Sequence, residues 1–133
     1  MHAAVLVVVP DGIVDVEGFV VDLLEPHRHR PDDFRHFDYA TIGGNFDGQC
    51  LPGGAPKRRP YTIENNLCPI DKLNLSVAPC HALLLPDGTW DSGARFVENA
   101  ATSDTGEQRW QAHVRASLAE YPEGAVVLVD AHS

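Results

Sequence analysis

Two segments near opposite ends of this chain are almost continuously apolar, Ala3-Ala4-Val5-Leu6-Val7-Val8-Val9 and Ala125-Val126-Val127-Leu128-Val129. Both are short and rich in β-branched residues. Pro10-Asp11-Gly12 stops the first, and the second closes on Asp130-Ala131-His132-Ser133. Strands without polar alternation are buried on both faces. A chain of 133 residues builds one domain around such a pair. The two strands are therefore expected side by side in the centre of one sheet.

Helical periodicity follows the first strand. Val16, Phe19, Val20, Leu23 and Leu24 fall on one stripe of an amphipathic helix, with Asp15 placed to cap it and Pro26 to end it. A second helix is predicted from about Thr105 to Tyr121, with Trp110, His113, Val114, Leu118 and Tyr121 inward. Asp104 with Glu107 reads as its capping box, and Pro122 with Gly124 as its stop. Between the helices, Phe34 to Phe46 reads as a short strand meeting a Gly-Gly turn or bulge, and residues 51–60 as a mobile Pro/Gly-rich loop. Residues 61–80 read as a packed irregular segment. Ala82-Leu83-Leu84-Leu85, Pro86-Asp87-Gly88 and Thr89-Trp90 read as a hairpin. The expected fold is a single-domain α+β sandwich, ferredoxin-like in outline with an elaborated middle. Two helices lie on one face of a mainly antiparallel sheet.

The net charge of −9 repels phosphate backbones, so general nucleic-acid binding is not expected. Lys57-Arg58-Arg59 is the one basic cluster, in a loop where solvated surface is the ordinary role. No apolar run approaches the roughly 20 residues that span a bilayer. The opening apolar run has no basic segment before it, so a cytoplasmic protein with reduced thiols at Cys50, Cys68 and Cys80 is expected.

The densest chemistry lies in His36-Phe37-Asp38-Tyr39-Ala40-Thr41-Ile42-Gly43-Gly44-Asn45-Phe46-Asp47-Gly48-Gln49-Cys50. Gly43-Gly44 lacks the spacing of a dinucleotide-binding fingerprint. Taken in order with Leu23-Leu24-Glu25-Pro26, Asn66-Leu67-Cys68-Pro69, Pro86-Asp87-Gly88-Thr89-Trp90, Trp110 and Val129-Asp130-Ala131-His132, this segment resembles an uncharacterised family of small proteins from phages and bacteria, especially actinobacteria. The family's motif is aromatic-Asp-aromatic-x-Ile-Gly-Gly-Arg-aromatic-x-Gly. This chain carries Asn45 at the Arg position, so an anion held by that Arg in relatives would lose its partner here. The resemblance implies a fold and the place of a site, and no activity.

Three chemistries fit the residues. Zinc would draw on His27, His29, His36, Cys50, Cys68, Cys80, His81 and His132, although adjacent Cys80 and His81 point apart in a strand. A thiol nucleophile would be Cys50 or Cys80, activated by a nearby histidine. Acid–base catalysis would use His36, Asp38, Asp47, Asp130 and His132, if the glycine bend and the last strand share one edge. Each has a structural counterpart: buried cysteines, turn-forming aspartates, and polar groups that tie down the chain's end. The favoured expectation is a small binding or regulatory protein for a polar small molecule or a protein partner. Its ligand would meet Tyr39, Gly43, Gly44, Asn45, Asp47, Asn66 and Trp90. The alternatives are a hydrolase or transferase using His36, Asp38, Cys50, Asp130 or His132, and a zinc-stabilised module.

Overall fold

The computed structural model describes residues 1–28 and 37–133. The strands are β1 (His2–Val9), β2 (Tyr39–Ile42), β3 (Leu67–Pro69), β4 (Ala82–Leu84), β5 (Trp90–Ser92) and β6 (Ala125–His132). The helices are α1 (Val16–Leu24), α2 (Gly93–Glu98) and α3 (Ser103–Leu118). One mixed sheet runs β2-β6-β1-β4-β5, with β3 also on β6. The two apolar strands are neighbours, antiparallel from His2 opposite His132 to Val9 opposite Ala125. β4 is parallel to β1, and the other pairings are antiparallel. The fold is thus a small α+β domain. No helix among the described residues is long and apolar enough to cross a membrane.

The expected placement of both helices on one face is corrected. Ala4, Leu6 and Val8 pack with Trp110, Val114 and Leu118 of α3. The alternate residues Val5, Val7 and Val9 pack with Val20 and Leu24 of α1. Successive strand residues point to opposite faces, so α1 and α3 cover opposite sides of the sheet. The reason lies in β1 itself, where Ala4 through Val9 are all buried. A strand apolar on both faces must be covered on both.

Local signals were finer than expected at some ends and coarser at others. Asp15 does cap α1, its Oδ1 accepting the Gly18 N–H at 3.0 Å. α3 begins two residues before the expected start, because Thr102 takes the capping role. Its Oγ1 accepts the Thr105 N–H at 3.1 Å, leaving Asp104 inside the first turn. The six-residue α2 was not anticipated. It packs on α3 through Gly106, where an added methyl would meet the Val97 backbone at 2.6 Å. The hairpin forms as read, closed by Leu85 N–H on Thr89 C=O at 2.9 Å.

The elaborated middle has a simple topology. β2 pairs Ile42 with Val129, the Gly43 N–H bonds to Leu128 C=O at 2.9 Å, and β3 pairs Leu67 with Val127. The two strands are therefore one edge strand of β6, interrupted by an excursion over residues 43–66. The chain leaves the ladder at Gly43 and rejoins it at the next register. Everything in the glycine motif after Ile42 belongs to that excursion.

Candidate functional site

The excursion is fastened by a buried carboxylate. Asp47 is 1% exposed. Its Oδ1 accepts from Asn66 Nδ2 at 2.7 Å, and its Oδ2 accepts from Asn65 Nδ2 at 2.7 Å and the Arg58 N–H at 2.8 Å. Asn66, fully buried, also donates to Thr62 C=O at 2.8 Å and accepts the Gly48 N–H at 3.1 Å. Each polar atom in this knot is saturated, as buried polar groups require. Asp47 and Asn66 thus meet each other, and they tie the 51–60 loop to the bend. Neither borders the open cleft described below.

A second cluster gathers where β6 ends. Asp130 is 5% exposed. Its Oδ2 accepts the Asn45 N–H at 2.8 Å, and its Oδ1 lies 2.8 Å from His2 Nδ1. Gly44 has a φ of +53° and faces the same carboxylate, with space for no side chain. His132 stacks on Tyr39 with ring centres 4.6 Å apart and meets the His2 ring edge-on at 5.0 Å. Its Nδ1 is buried with no hydrogen-bond partner among the described residues, Asp38 Oδ2 standing 3.4 Å away. The C-terminal Asp130 and His132 therefore do meet Gly44, Asn45, Tyr39 and Asp38. Antiparallel pairing causes this, because His2, Tyr39 and His132 share one register.

The bend, the 51–60 loop, Asn66, Asp130 and His132 are not among the residues that line the cleft beside this cluster. A cleft of about 690 Å³ opens beside the second cluster, between the sheet and the α2–α3 pair. Trp110, Leu75, Ala78 and Val114 form its apolar wall, while His2 and His81 stand on its polar side. Trp110 is pinned by its indole N–H on Cys80 C=O at 2.7 Å, and α3 is further held by His113 Nε2 at 2.8 Å from Asp91 Oδ2. β4 begins only at Ala82, so the Ala4 N–H finds no strand partner beside it. The imidazole of His81 takes that bond, its Nδ1 accepting at 2.8 Å. Trp90 borders the cleft, but its ring belongs to the α1 face, stacked on Phe37 and tilted against His27.

The thiols behave as core residues. Cys50 and Cys68 are buried on the α3 face of the sheet. Burial pushes the Cys50 thiol up to about 12, and the Cys68 thiol beside it adds to the shift. Burial also raises Cys68, and takes Cys80 up to about 12. Thiols raised in this way are held protonated at neutral pH, the opposite of the lowered value that favours a nucleophilic thiolate. The ordinary thiol value is 9.0, so the folded state binds a proton that the unfolded chain releases above that pH. The contribution of Cys50 is intact below about pH 9 and lost as pH rises toward about 12, by up to ~1.4 kcal/mol per pH unit. Urea unfolding from pH 8 to 10.5 should show this loss, reduced in Cys50→Ala. Equal slopes in the two proteins would contradict it.

His36 and His29 lie outside the described residues. Among the described residues no three His, Cys, Asp or Glu side chains are grouped to hold a metal ion. Sequence reasoning missed His2 entirely and weighed His81 only as a zinc ligand or a thiol's neighbour. A signal for His2 existed: extending the two apolar strands as an antiparallel pair sets His2 opposite His132. Comparison of the chain with protein-family models, with curated proteins and with solved structures finds no match.

Proposed function

We propose that this is a small-molecule binding protein whose ligand occupies the cleft between the sheet and the α2–α3 pair. The observation that carries the reading is the cleft itself. Its volume of about 690 Å³ lies in the range of small-ligand sites, roughly 300–1,000 Å³. Its lining has the composition such sites need, a tryptophan and aliphatic wall with a few polar groups that fix orientation. Glu107 and Gln111 add polar groups on the α3 side. The net charge of −9 and Glu107 favour a neutral or cationic ligand over an anion. The small-molecule half of the expected binding function is thus preferred to a protein partner. The polar ligand foreseen from the glycine motif becomes a largely apolar one with a hydrogen-bonding edge.

The test is an amide and indole NMR titration with a library of neutral aromatic fragments. Binders should shift the Trp110 indole, Gln111 and Gly93 together. Ala94 is exposed at the cleft, so Ala94→Phe should weaken those binders by about tenfold or more by filling the space they need, with the thermal midpoint unchanged. Binders that cluster elsewhere, or that ignore Ala94→Phe, would refute the reading.

A further inference from the structure

Two histidines line the cleft, and their surroundings fix them in opposite tautomers. A carboxylate can only accept, so His2 must donate from Nδ1 to Asp130. That leaves Nε2 of neutral His2 with a lone pair. A main-chain N–H can only donate, so Nδ1 of His81 must accept from Ala4. That leaves Nε2 of neutral His81 carrying the proton. Neither remaining nitrogen has a hydrogen-bond partner among the described residues.

We propose that His2 and His81 act together as base and electrophile, moving a proton on and off the carbon next to a carbonyl group of a small neutral ligand. This rests on the cleft being the binding site. Nε2 of His2 takes the proton from carbon. The C–H electron pair becomes the new C=C bond, and the carbonyl π pair moves onto oxygen. His81 Nε2–H stabilises that oxygen by a hydrogen bond and keeps its own proton. His2 becomes an imidazolium held by Asp130 and returns the proton to carbon, to the same atom or to the far end of a conjugated enolate. The net reaction is exchange, inversion or isomerisation, and it needs no co-reactant. A neutral imidazole used as electrophile beside a carboxylate-type base is a known division of labour in proton transfer at carbon. The apolar wall of Trp110 and Leu75 gives the carbon part of such a ligand a surface to pack on beside the two histidines.

Consecutive residues of the glycine bend hold the two histidines. The Asn45 N–H binds the carboxylate that orients His2. The Phe46 ring packs edge-on against His81 with centres 5.9 Å apart. His2 and His81 are the catalytic residues of the proposal, while Asp130 is a positioning residue behind His2.

The probe is phenylacetone, a neutral aryl ketone, incubated with the full chain in D₂O while its benzylic proton signal is followed by NMR. Exchange should exceed that in an equal concentration of imidazole. It should fall by about 100-fold or more in His2→Gln and by about 100-fold in His81→Leu. His81→Gln should recover most of the rate, because an amide can accept from Ala4 and still donate. Asp130→Asn should slow exchange and move the His2 ring proton from Nδ1 to Nε2, a nitrogen-15 signature that a purely structural role for Asp130 would not produce. Wild-type exchange in His2→Gln overturns the proposal. Phenylacetone that shifts Trp110 without exchanging overturns the chemistry and leaves the binding site standing. No shift and no exchange overturns both.

Discussion

Asp47→Ala is expected to cost this protein about 3–5 kcal/mol, the penalty typical of removing one member of a buried charged network. The carboxylate accepts from Asn65, Asn66 and the Arg58 main chain. Its removal leaves three donors without the acceptor they share. Hydrogen bonds to a charged group contribute more than neutral ones, about 1.5–3 kcal/mol each, though not additively. Urea denaturation should show the midpoint fall with the slope little changed. Asp47→Asn is the graded comparison. It keeps one acceptor oxygen but turns an amide toward donors, so it should be intermediate. A loss below about 1 kcal/mol for Asp47→Ala would mean that the knot fastens nothing.

Gly44→Ala is expected to cost about 2–4 kcal/mol, from a left-handed backbone and a steric collision acting together. At φ +53° an added Cβ would lie 2.5 Å from Asp130 Oδ2 and 2.6 Å from its Cβ. Asp130 sits in the last strand between the Asn45 N–H and His2, so the bend must move away or the carboxylate must turn. The first movement frees the carboxylate from the Asn45 N–H and the second turns it away from His2, so the variant should lose ketone exchange as well as stability. Gly53→Ala isolates the backbone part. Gly53 has φ +74° with nothing within 4 Å of an added Cβ, so it should cost only about 1 kcal/mol. Equal costs at the two positions would show that the close approach to Asp130 carries no weight.

The architecture was readable where the chain repeats a period over many residues. The pairing of β1 with β6 followed from two strands that have no polar face. The α1 stripe and the inner residues of α3, Trp110, Val114 and Leu118, followed from spacing. The face assignment failed for want of one further step, since strands buried on both sides need a helix on each. The interrupted edge strand was illegible for a physical reason. β2 has four residues and β3 three, too few to show alternation, and their common partner lies at the far end of the chain. Within the glycine motif, Gly43, Gly44 and Asp47 face inward, while Asp38, Tyr39, Asn45 and Gln49 are exposed. Gly43 crowds Asp47 and Asn66, and Gly44 crowds Asp130. The imidazoles that line the cleft are His2 and His81. Their significance depends on one strand register and one missing ladder bond, which no local pattern encodes.

The bend and the last strand set His2 and His81 in opposite tautomers on one cleft, an arrangement that long-range proton–nitrogen-15 NMR of the neutral histidine rings reads out. The prediction is a proton on Nδ1 of His2 and on Nε2 of His81 in the native protein. The His2 proton should move to Nε2 in Asp130→Asn while His81 stays as it was. A native protein in which both rings carry the proton on Nε2, or in which Asp130→Asn leaves His2 unchanged, would contradict it.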